Sequence, residues 1–193
     1  MISPKTGKFT EKFTTIRRHR NFPIDYCVFY SQNDEPKQIF IPGCAQFSGQ
    51  WYLLSIASEC NYLKVNNHRV EATVVQASRS TKPKATEDLS MKTLRKLDGI
   101  CWEIRHEYPK NKVSGRFTSL SLCSGRGSSL MVVGETDYEN YAILYYQRQR
   151  KITLKLYGRK KTASDDIYRK FDEHVSGQGI DLIYIYPFPS YGE

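Results

Sequence analysis

The feature that most constrains this chain is a succession of short runs rich in β-branched and aromatic residues, each closed by a turn signal. The runs recur through the middle of the 193-residue sequence, and such a succession is typical of an all-β barrel or sandwich. Asp98-Gly99, between two of the runs, is a tight-hairpin signal. The predicted strands cover residues 50–59, 69–78, 88–97, 100–108, 112–120, 129–136, 141–149 and 151–158.

After the eighth predicted strand, the spacing of the apolar residues changes. They recur at every fourth position, and they are Ile167, Phe171 and Val175. This period predicts an amphipathic helix, for which Ser164 is a suitable N-cap and Gly177 a suitable end. The apolar stretch over residues 180–185 predicts a short strand after the helix.

Composition and charge narrow the classes of function. Hydrophobic residues make up 39% of the chain and charged residues 25%, as in folded globular domains, and no apolar run reaches the roughly 20 residues that span a bilayer. The net charge of +9 would suit nucleic acid, but much of it lies in residues 1–20, either a solvated arm or one that docks on an acidic partner. We therefore expect no nucleic-acid partner and no direct membrane span. We expect a basic, irregular leader over residues 1–46 and one domain over residues 47–193.

Three short signatures lie at the edges of strand-like runs. Gly49-Gln50-Trp51 opens the first run, Thr136-Asp137-Tyr138 precedes the seventh, and Arg159 ends the eighth. In this order they resemble the lipocalin family, whose members are eight-stranded up-and-down antiparallel barrels with one internal cavity, a C-terminal helix and a short final strand. The resemblance implies that Trp51 packs across the closed end of the barrel with Arg159 over its indole, as a cation–π contact. It also implies that the residues of these signatures are structural.

Further stretches narrow the resemblance to lipocalins that are subunits of complement component eight. Residues 95–102 and 68–73 and the end Pro189-Ser190-Tyr191-Gly192 are similar to that group. This resemblance implies a secreted, non-enzymatic subunit of the membrane attack pathway in plasma, attached to the alpha subunit of component eight. Residues 155–159 are also similar to the alpha-1-microglobulin group. Two alternatives follow, namely a free carrier of a retinoid-like or fatty-acid-like molecule and a redox-thiol protein.

The five cysteines favour an oxidising compartment, and their odd number leaves at least one without an internal partner. The resemblance implies that Cys60, in the loop after the first strand, forms a disulfide with the alpha subunit of component eight. A free reactive thiol and an internal pair are the alternatives. The resemblance also makes Cys101 a candidate for an internal disulfide, but the family partner beyond the C-terminal Tyr-Gly is missing here. Residues 1–30 contain no apolar core of a secretory signal, and an incomplete sequence at both ends would explain both observations.

Alternation along the strands predicts which residues face the cavity. On the first strand these are Leu53, Ser55 and Ala57. On later strands they are Trp102, Ile104, His106, Tyr108, Ala142, Leu144, Tyr146, Thr153, Lys155 and Tyr157. The set is mainly apolar and aromatic, as small-ligand pockets are, and suits a small hydrophobic ligand or a segment of a partner protein. Lys155 is costly inside a barrel unless a carboxylate, water or an opening meets its ammonium group.

The sequence offers no arrangement for catalysis or for metal binding. The histidines are scattered without metal-ligand spacing, at His19, His68, His106 and His174. Alternation brings no serine, histidine and acid together, and there is no glycine-rich phosphate loop. We therefore expect a binding protein with no catalytic residues, no cofactor and no metal.

Overall fold

The structure is a computed structural model that describes residues 26–29, 37–40, 44–82, 88–97, 100–111, 116–120, 128–148 and 151–189. The chain divides into two compact units, Met1–Pro42 and Gly43–Glu193. In the first unit, β1 (Tyr26–Phe29) pairs antiparallel with β2 (Lys37–Phe40). These strands lie inside the segment predicted to be an irregular leader, and their aromatic and β-branched residues favour extended backbone. The domain boundary predicted at residue 46 stays a prediction.

The second unit is the predicted all-β barrel with one helix and a short strand after the eighth barrel strand. Its hydrogen-bonded strand order is β6-β5-β4-β3-β10-β9-β8-β7, and β11 adds to β3. Every barrel strand is antiparallel to its neighbours. The elements are α1 (Cys44–Phe47), β3 (Gly49–Ala57), α2 (Asn61–Asn66), β4 (Thr73–Arg79), β5 (Leu89–Leu97), β6 (Ile100–Tyr108), β7 (Arg116–Leu120), β8 (Ser128–Thr136), β9 (Tyr141–Arg148), β10 (Lys151–Gly158), α3 (Asp165–Gly177) and β11 (Ile185–Pro187).

In the described ranges, β6 and β7, the first and last strands of this order, meet only beyond the end of β6. The backbone N–H of Thr118 donates to the carbonyl of Pro109 at 3.0 Å, and the N–H of Asn111 donates to the carbonyl of Arg116 at 2.8 Å. Within the described residues, β6 itself pairs along its length with β5 alone. The inner face of β6 is therefore less covered near its start than near its end.

Two connections differ from the sequence prediction. The prediction starts the second barrel strand at residue 69, but α2 and a 3₁₀ turn over Asn67–Arg69 come first and β4 begins at Thr73. The predicted strand over residues 180–185 is a 3₁₀ turn, Leu182–Tyr184, followed by β11. Asp181 caps that turn because its carboxylate accepts a hydrogen bond from the N–H of Ile183.

The barrel strands separate two apolar cores. The inner core fills the half of the barrel in which β3 begins and β10 ends. Its largest fully buried members are Trp51, Leu89, Met131 and Leu144. The outer core lies between β3, β9 and β10 and helix α3, and it includes Leu154, Leu156, Phe171 and Val175. Ser164 is the N-cap of α3, and the apolar period predicted for this helix matches its buried face. None of the helices in the described ranges is long and apolar enough to cross a membrane.

The alternation predicted along β3 holds only as far as Leu53. Leu54 is an extra residue between the pairs that Leu53 and Ser55 make with β10, which is a β-bulge. Beyond it Ile56 belongs to the inner core and Ala57 to the outer core. The prediction that Ser55 and Ala57 face the cavity is therefore wrong, because one extra residue exchanges the two faces of a strand.

Candidate functional site

The closed end of the barrel, where β3 begins and β10 ends, is built around Trp51. This side chain is 1% exposed, its ring stacks on Phe47 at 5.0 Å, and its indole N–H donates to the Phe47 carbonyl at 2.8 Å. The guanidinium carbon of Arg159 lies 3.7 Å from the centre of the Trp51 ring. The predicted residues thus form a cation–π contact that covers the end of the barrel.

Arg159 also ties three segments of backbone together. Its guanidinium donates to the carbonyls of Tyr138 at 3.0 Å, Gln50 at 3.1 Å, Gln46 at 3.1 Å and Ser48 at 3.0 Å. Hydrogen bonds from a charged donor are the stronger ones in proteins. Because these acceptors belong to the protein itself, the guanidinium stabilises the fold.

The turn between β8 and β9 is likewise held by hydrogen bonds within the protein. The Thr136 hydroxyl donates to the Tyr141 carbonyl at 2.6 Å, and Asp137 accepts from the backbone N–H groups of Asn140 at 2.8 Å and Tyr141 at 3.0 Å. Burial alone would raise the pKa of Asp137, but the hydrogen bonds from Tyr141 and Asn140 outweigh it and lower the pKa. Tyr138 has a φ of 65°, which this turn holds in place.

The open end lies at the opposite side, where β3 ends and β6 and β10 begin. The inner face of β6 becomes steadily more exposed toward this end. Tyr108 is 7% exposed, Ile104 38%, Trp102 51% and Ile100 60%. Trp102 and Ile104 thus lie on the predicted face, but they line an accessible wall of the barrel instead of a buried cavity.

Three tyrosines form a hydrogen-bonded group deeper inside. The hydroxyl of Tyr146 lies within hydrogen-bond reach of the hydroxyls of Tyr108 and Tyr157. Burial raises the pKa of Tyr108 to about 12 and raises those of Tyr146 and Tyr157 further. These groups therefore stay neutral at physiological pH and act as hydrogen-bond partners.

Lys155 lies next to this tyrosine group. Its ammonium nitrogen is 4.5 Å from the centre of the Tyr146 ring, and the side chain is half-buried. Burial and then the charge of Arg95 lower the pKa of Lys155 to about 8. Desolvation and the Lys155 charge likewise lower the pKa of His106. The ring of Tyr146 meets the ammonium group in part, but a carboxylate would meet it better.

The other predicted pocket residues pack into the inner core. They are Leu53, Ala142 and Leu144, together with Tyr108 and Tyr157, and all five are buried. The pocket predicted from alternation thus divides into a filled half near the closed end and an accessible half near the open end. The half near the open end combines an apolar wall with basic groups, an arrangement that suits amphipathic molecules or peptide segments.

Cys60 lies at the open end as the N-cap of α2, with an exposed side chain. The Ser58 hydroxyl accepts from the Cys60 N–H at 3.3 Å and shares a hydrogen bond of 3.0 Å with the Thr153 hydroxyl, which holds the loop against β10. Tyr62 and Val65 on α2 are 54% and 69% exposed. Sequence reasoning missed α2, although its run Asn-Tyr-Leu-Lys-Val-Asn contains good helix formers.

Cys101 is exposed on the outer face of β6, opposite Lys96 on β5. In the part of the chain that the structure describes, neither Cys60 nor Cys101 forms a disulfide. The internal disulfide at Cys101 stays a prediction. In the same ranges, no three side chains of the metal-ligating types lie together.

A polar cluster between β8, β9 and α3 escaped the sequence analysis. His174 contacts the Glu135 carboxylate at 2.7 Å with Nε2 and the Tyr145 hydroxyl at 2.5 Å with Nδ1, and Lys170 donates to Glu135 at 3.0 Å. These bonds, of which the one from His174 has the largest effect, hold the pKa of Glu135 far below its usual range. The sequence signal for this cluster was the four-residue spacing of Lys170 and His174, which places both side chains on one side of α3 next to its buried face.

The fold and both ends of the barrel define a class of protein. The profile of the Lipocalin / cytosolic fatty-acid binding protein family matches residues 48–189, and the chain belongs to this family. A chain from a structure of the siderocalin Ex-FABP has the same fold, with a TM-score of 0.64 at 16% identity, covering 76% of this chain and 96% of that one.

Within the family, this chain is similar to the complement component C8 gamma chain of Oryctolagus cuniculus. The two are 35% identical over 158 residues, which cover 82% of this chain and 74% of the relative. Protein AMBP of Bos taurus is 27% identical over 151 residues, covering 75% of this chain and 42% of that protein.

Proposed function

We propose that this protein is a non-enzymatic, extracellular lipocalin subunit of complement component eight in the membrane attack pathway. In this role Cys60 forms a disulfide with the alpha subunit of component eight. The open half of the barrel receives a small hydrophobic ligand or a segment of the partner. The 35% identity to a complement component C8 gamma chain supports this choice among the functions of the family.

The environment of Cys60 is the observation that carries the proposal. The thiol is exposed on a loop that hydrogen bonds attach to β10, so a partner cysteine can reach it without unfolding the barrel. Tyr62 and Val65 beside it present apolar surface of the kind found at protein interfaces. An interior thiol would lack this access.

The accessible inner wall of β6 supports a second role for the same end of the barrel. Trp102 and Ile104 offer exposed apolar surface that a ligand or an inserted partner segment would cover. This wall also favours the alternative function of a free carrier for a retinoid-like or fatty-acid-like molecule. The two functions differ in whether Cys60 is bonded to another chain.

Electrophoresis with and without reductant tests the covalent link. The protein is co-expressed with the alpha subunit of component eight, and we expect a covalent species that reductant removes. Cys60→Ser should abolish it, whereas the control Cys101→Ser, whose thiol is also exposed, should leave it intact. Persistence of the species in Cys60→Ser would contradict the assignment of the link to Cys60. Absence of the species from the wild-type protein would contradict the covalent link and favour the free carrier.

A further inference from the structure

Among the residues that the structure describes, one edge of strand β6 is unpaired along the length of the strand. On its other edge β6 pairs with β5 from Ile100 to Tyr108. The described residues of β7 make backbone hydrogen bonds only beyond the strand, at Pro109 and Asn111. Every residue of β6 before Tyr108 is exposed. A long, exposed strand edge is a place where another strand can be added.

The hydrogen bond at Pro109 shows which backbone groups point to this edge. The Pro109 carbonyl accepts from the N–H of Thr118 on β7, and in antiparallel sheets the backbone groups of alternate residues point to opposite edges of a strand. The N–H and C=O groups of the odd-numbered residues of β6 therefore point to the unpaired edge. These residues are Cys101, Glu103, Arg105 and Glu107, and each offers one donor and one acceptor.

The side chains of β6 alternate between an apolar face and a charged face. Ile100, Trp102 and Ile104 are exposed large hydrophobic residues on the inner face. On the outer face, Glu103 and Arg105 carry opposite charges on either side of Ile104, and the Glu103 carboxylate contacts the Arg105 Nε atom at 2.6 Å. Read in the reverse direction, the order acid, isoleucine, base becomes base, isoleucine, acid. A strand with this order is complementary to a second copy of itself.

One antiparallel register uses this complementarity in full. About a twofold axis at Ile104, each Glu103 lies opposite Arg105 of the second copy, and each Cys101 lies opposite Glu107. These odd-numbered residues are the ones whose backbone groups point to the unpaired edge, so the opposed pairs can be joined by hydrogen bonds. An axis at Glu103 or at Arg105 would instead place that residue opposite its own copy, which is unfavourable because like charges repel.

The same register covers the exposed apolar face. Ile104 lies opposite Ile104 of the second copy, and Trp102 lies opposite His106 and diagonal to Ile104. Cross-strand pairs of aromatic and β-branched residues stabilise antiparallel sheets. Association therefore removes from water apolar surface that β6 exposes in the single chain.

We propose that β6 is a dimerisation edge, where a second copy of this chain pairs antiparallel about a twofold axis at Ile104. The pairing joins the sheets of two barrels into one. Because a twofold contact uses the same edge of both copies, association ends at the dimer. The inference goes beyond the proposed function, since Cys60 lies in the connection from β3 to β4 and the pairing requires neither its disulfide nor a ligand in the barrel.

Sedimentation equilibrium in the presence of reductant tests the self-association. The wild-type protein should pass from monomer to dimer as its concentration is raised about a hundredfold. Glu103→Arg and Arg105→Glu should each weaken the dimer about tenfold or more, because each variant places two pairs of like charges opposite one another. An equimolar mixture of the two variants should recover the dimer, since the opposed charges are then complementary between the two chains.

A matched control separates the edge from the general effect of charge. Lys96→Glu changes the charge of the protein by as much as Arg105→Glu does. Lys96 is exposed on the neighbouring strand β5, where it pairs with Cys101 on the side away from the unpaired edge. This variant should dimerise as the wild-type protein does.

A cysteine at the axis tests the register. In the Cys60→Ser/Cys101→Ser protein, Ile104→Cys brings two thiols to a non-hydrogen-bonded pair, whose Cα atoms lie about 4.5 Å apart, within reach of a disulfide. Oxidised glutathione should link most of these chains into covalent dimers. Trp102→Cys, at a more exposed position of the same face, should give far fewer, because His106 lies opposite it. The parent protein without either change controls for the other cysteines.

Three results would overturn the inference. One is a wild-type protein that stays monomeric at every concentration and gives no cross-link through Ile104→Cys. In that case, protection of the odd-numbered amides of β6 in the complex with the alpha subunit would assign the edge to that partner. Another is a dimer that both charge variants leave intact, which would place the contact elsewhere. The third is equal cross-linking through Trp102→Cys, which would exclude the register. The test of the link at Cys60 is independent of all three.

Discussion

The two ends of the barrel use the same types of side chain for opposite purposes. At the closed end, Arg159 donates to four backbone carbonyls and covers Trp51, which is 1% exposed. At the open end, Trp102 is 51% exposed, and Lys155 meets an aromatic ring but no carboxylate of the barrel strands. A cation and an indole stabilise the fold where the protein supplies their partners, and we propose that they form a binding surface where it does not.

The largest predicted effect concerns the two tryptophans. Trp51→Ala should lower the free energy of unfolding by about 3–5 kcal/mol, since it empties a fully buried site and removes the contact with Arg159. Trp102→Ala should cost about 1 kcal/mol or less, because half of this side chain is already in water. Urea denaturation of both variants measures the difference. Equal losses would remove the contrast between the ends.

The next effect concerns Gly49, whose φ of +109° is unfavourable for any residue with a Cβ atom. A Cβ here would also lie 2.9 Å from an Nη atom of Arg159. Gly49→Ala should therefore destabilise the protein by about 1–3 kcal/mol, seen as a lower Tm. The control Gly177→Ala, at the end of α3 with no atom within 4 Å of the new methyl group, should be neutral or slightly stabilising.

These two ends also differ in how well the sequence predicts them. The closed end follows from contiguous signatures, since Gly49 and Trp51 begin β3 and Thr136-Asp137-Tyr138 follows the end of β8 directly. The open end depends on features that the strand pattern does not show. The bulge at Leu54 exchanges the faces of β3, and β4 begins at Thr73 instead of the predicted residue 69.

Strand alternation predicts the face of a residue but not its exposure. Trp102 and Ile104 lie on the predicted face, yet they are exposed because the described residues of β7 meet β6 only beyond Tyr108. The cluster of Glu135 with His174 was missed for a related reason. It joins residues distant in sequence, which only the packing of α3 on the barrel brings together.

A smaller effect is expected at Glu135, which attaches α3 to the barrel. Glu135→Gln should cost about 1–3 kcal/mol at neutral pH, because the carboxylate accepts bonds from His174 and Lys170. The folded-state pKa of Glu135 is depressed, so its stabilisation is present above the ordinary pKa of about 4.3 and is lost as the pH falls below it. The stability difference between wild type and variant should therefore shrink from pH 6 to pH 3. A constant difference would show that the charge is not responsible.

The smallest predicted effect on stability is that of Cys60→Ser. The side chain is exposed and makes no disulfide in the described part of the chain, so the change should stay within about 0.5 kcal/mol. Thermal unfolding of the isolated protein measures it. A clear loss of stability would mean that Cys60 supports the fold and would weaken its assignment as a partner contact.

Hydrogen exchange tests the central claim, that the closed end holds the barrel together and the open end binds. Amide exchange is measured for the protein alone and in complex with the alpha subunit of component eight. The account predicts slower exchange in the complex at the connection from β3 to β4 and at the start of β6, with no change around Trp51 and Arg159. Protection confined to the closed end, or to the exposed face of α3, would contradict it.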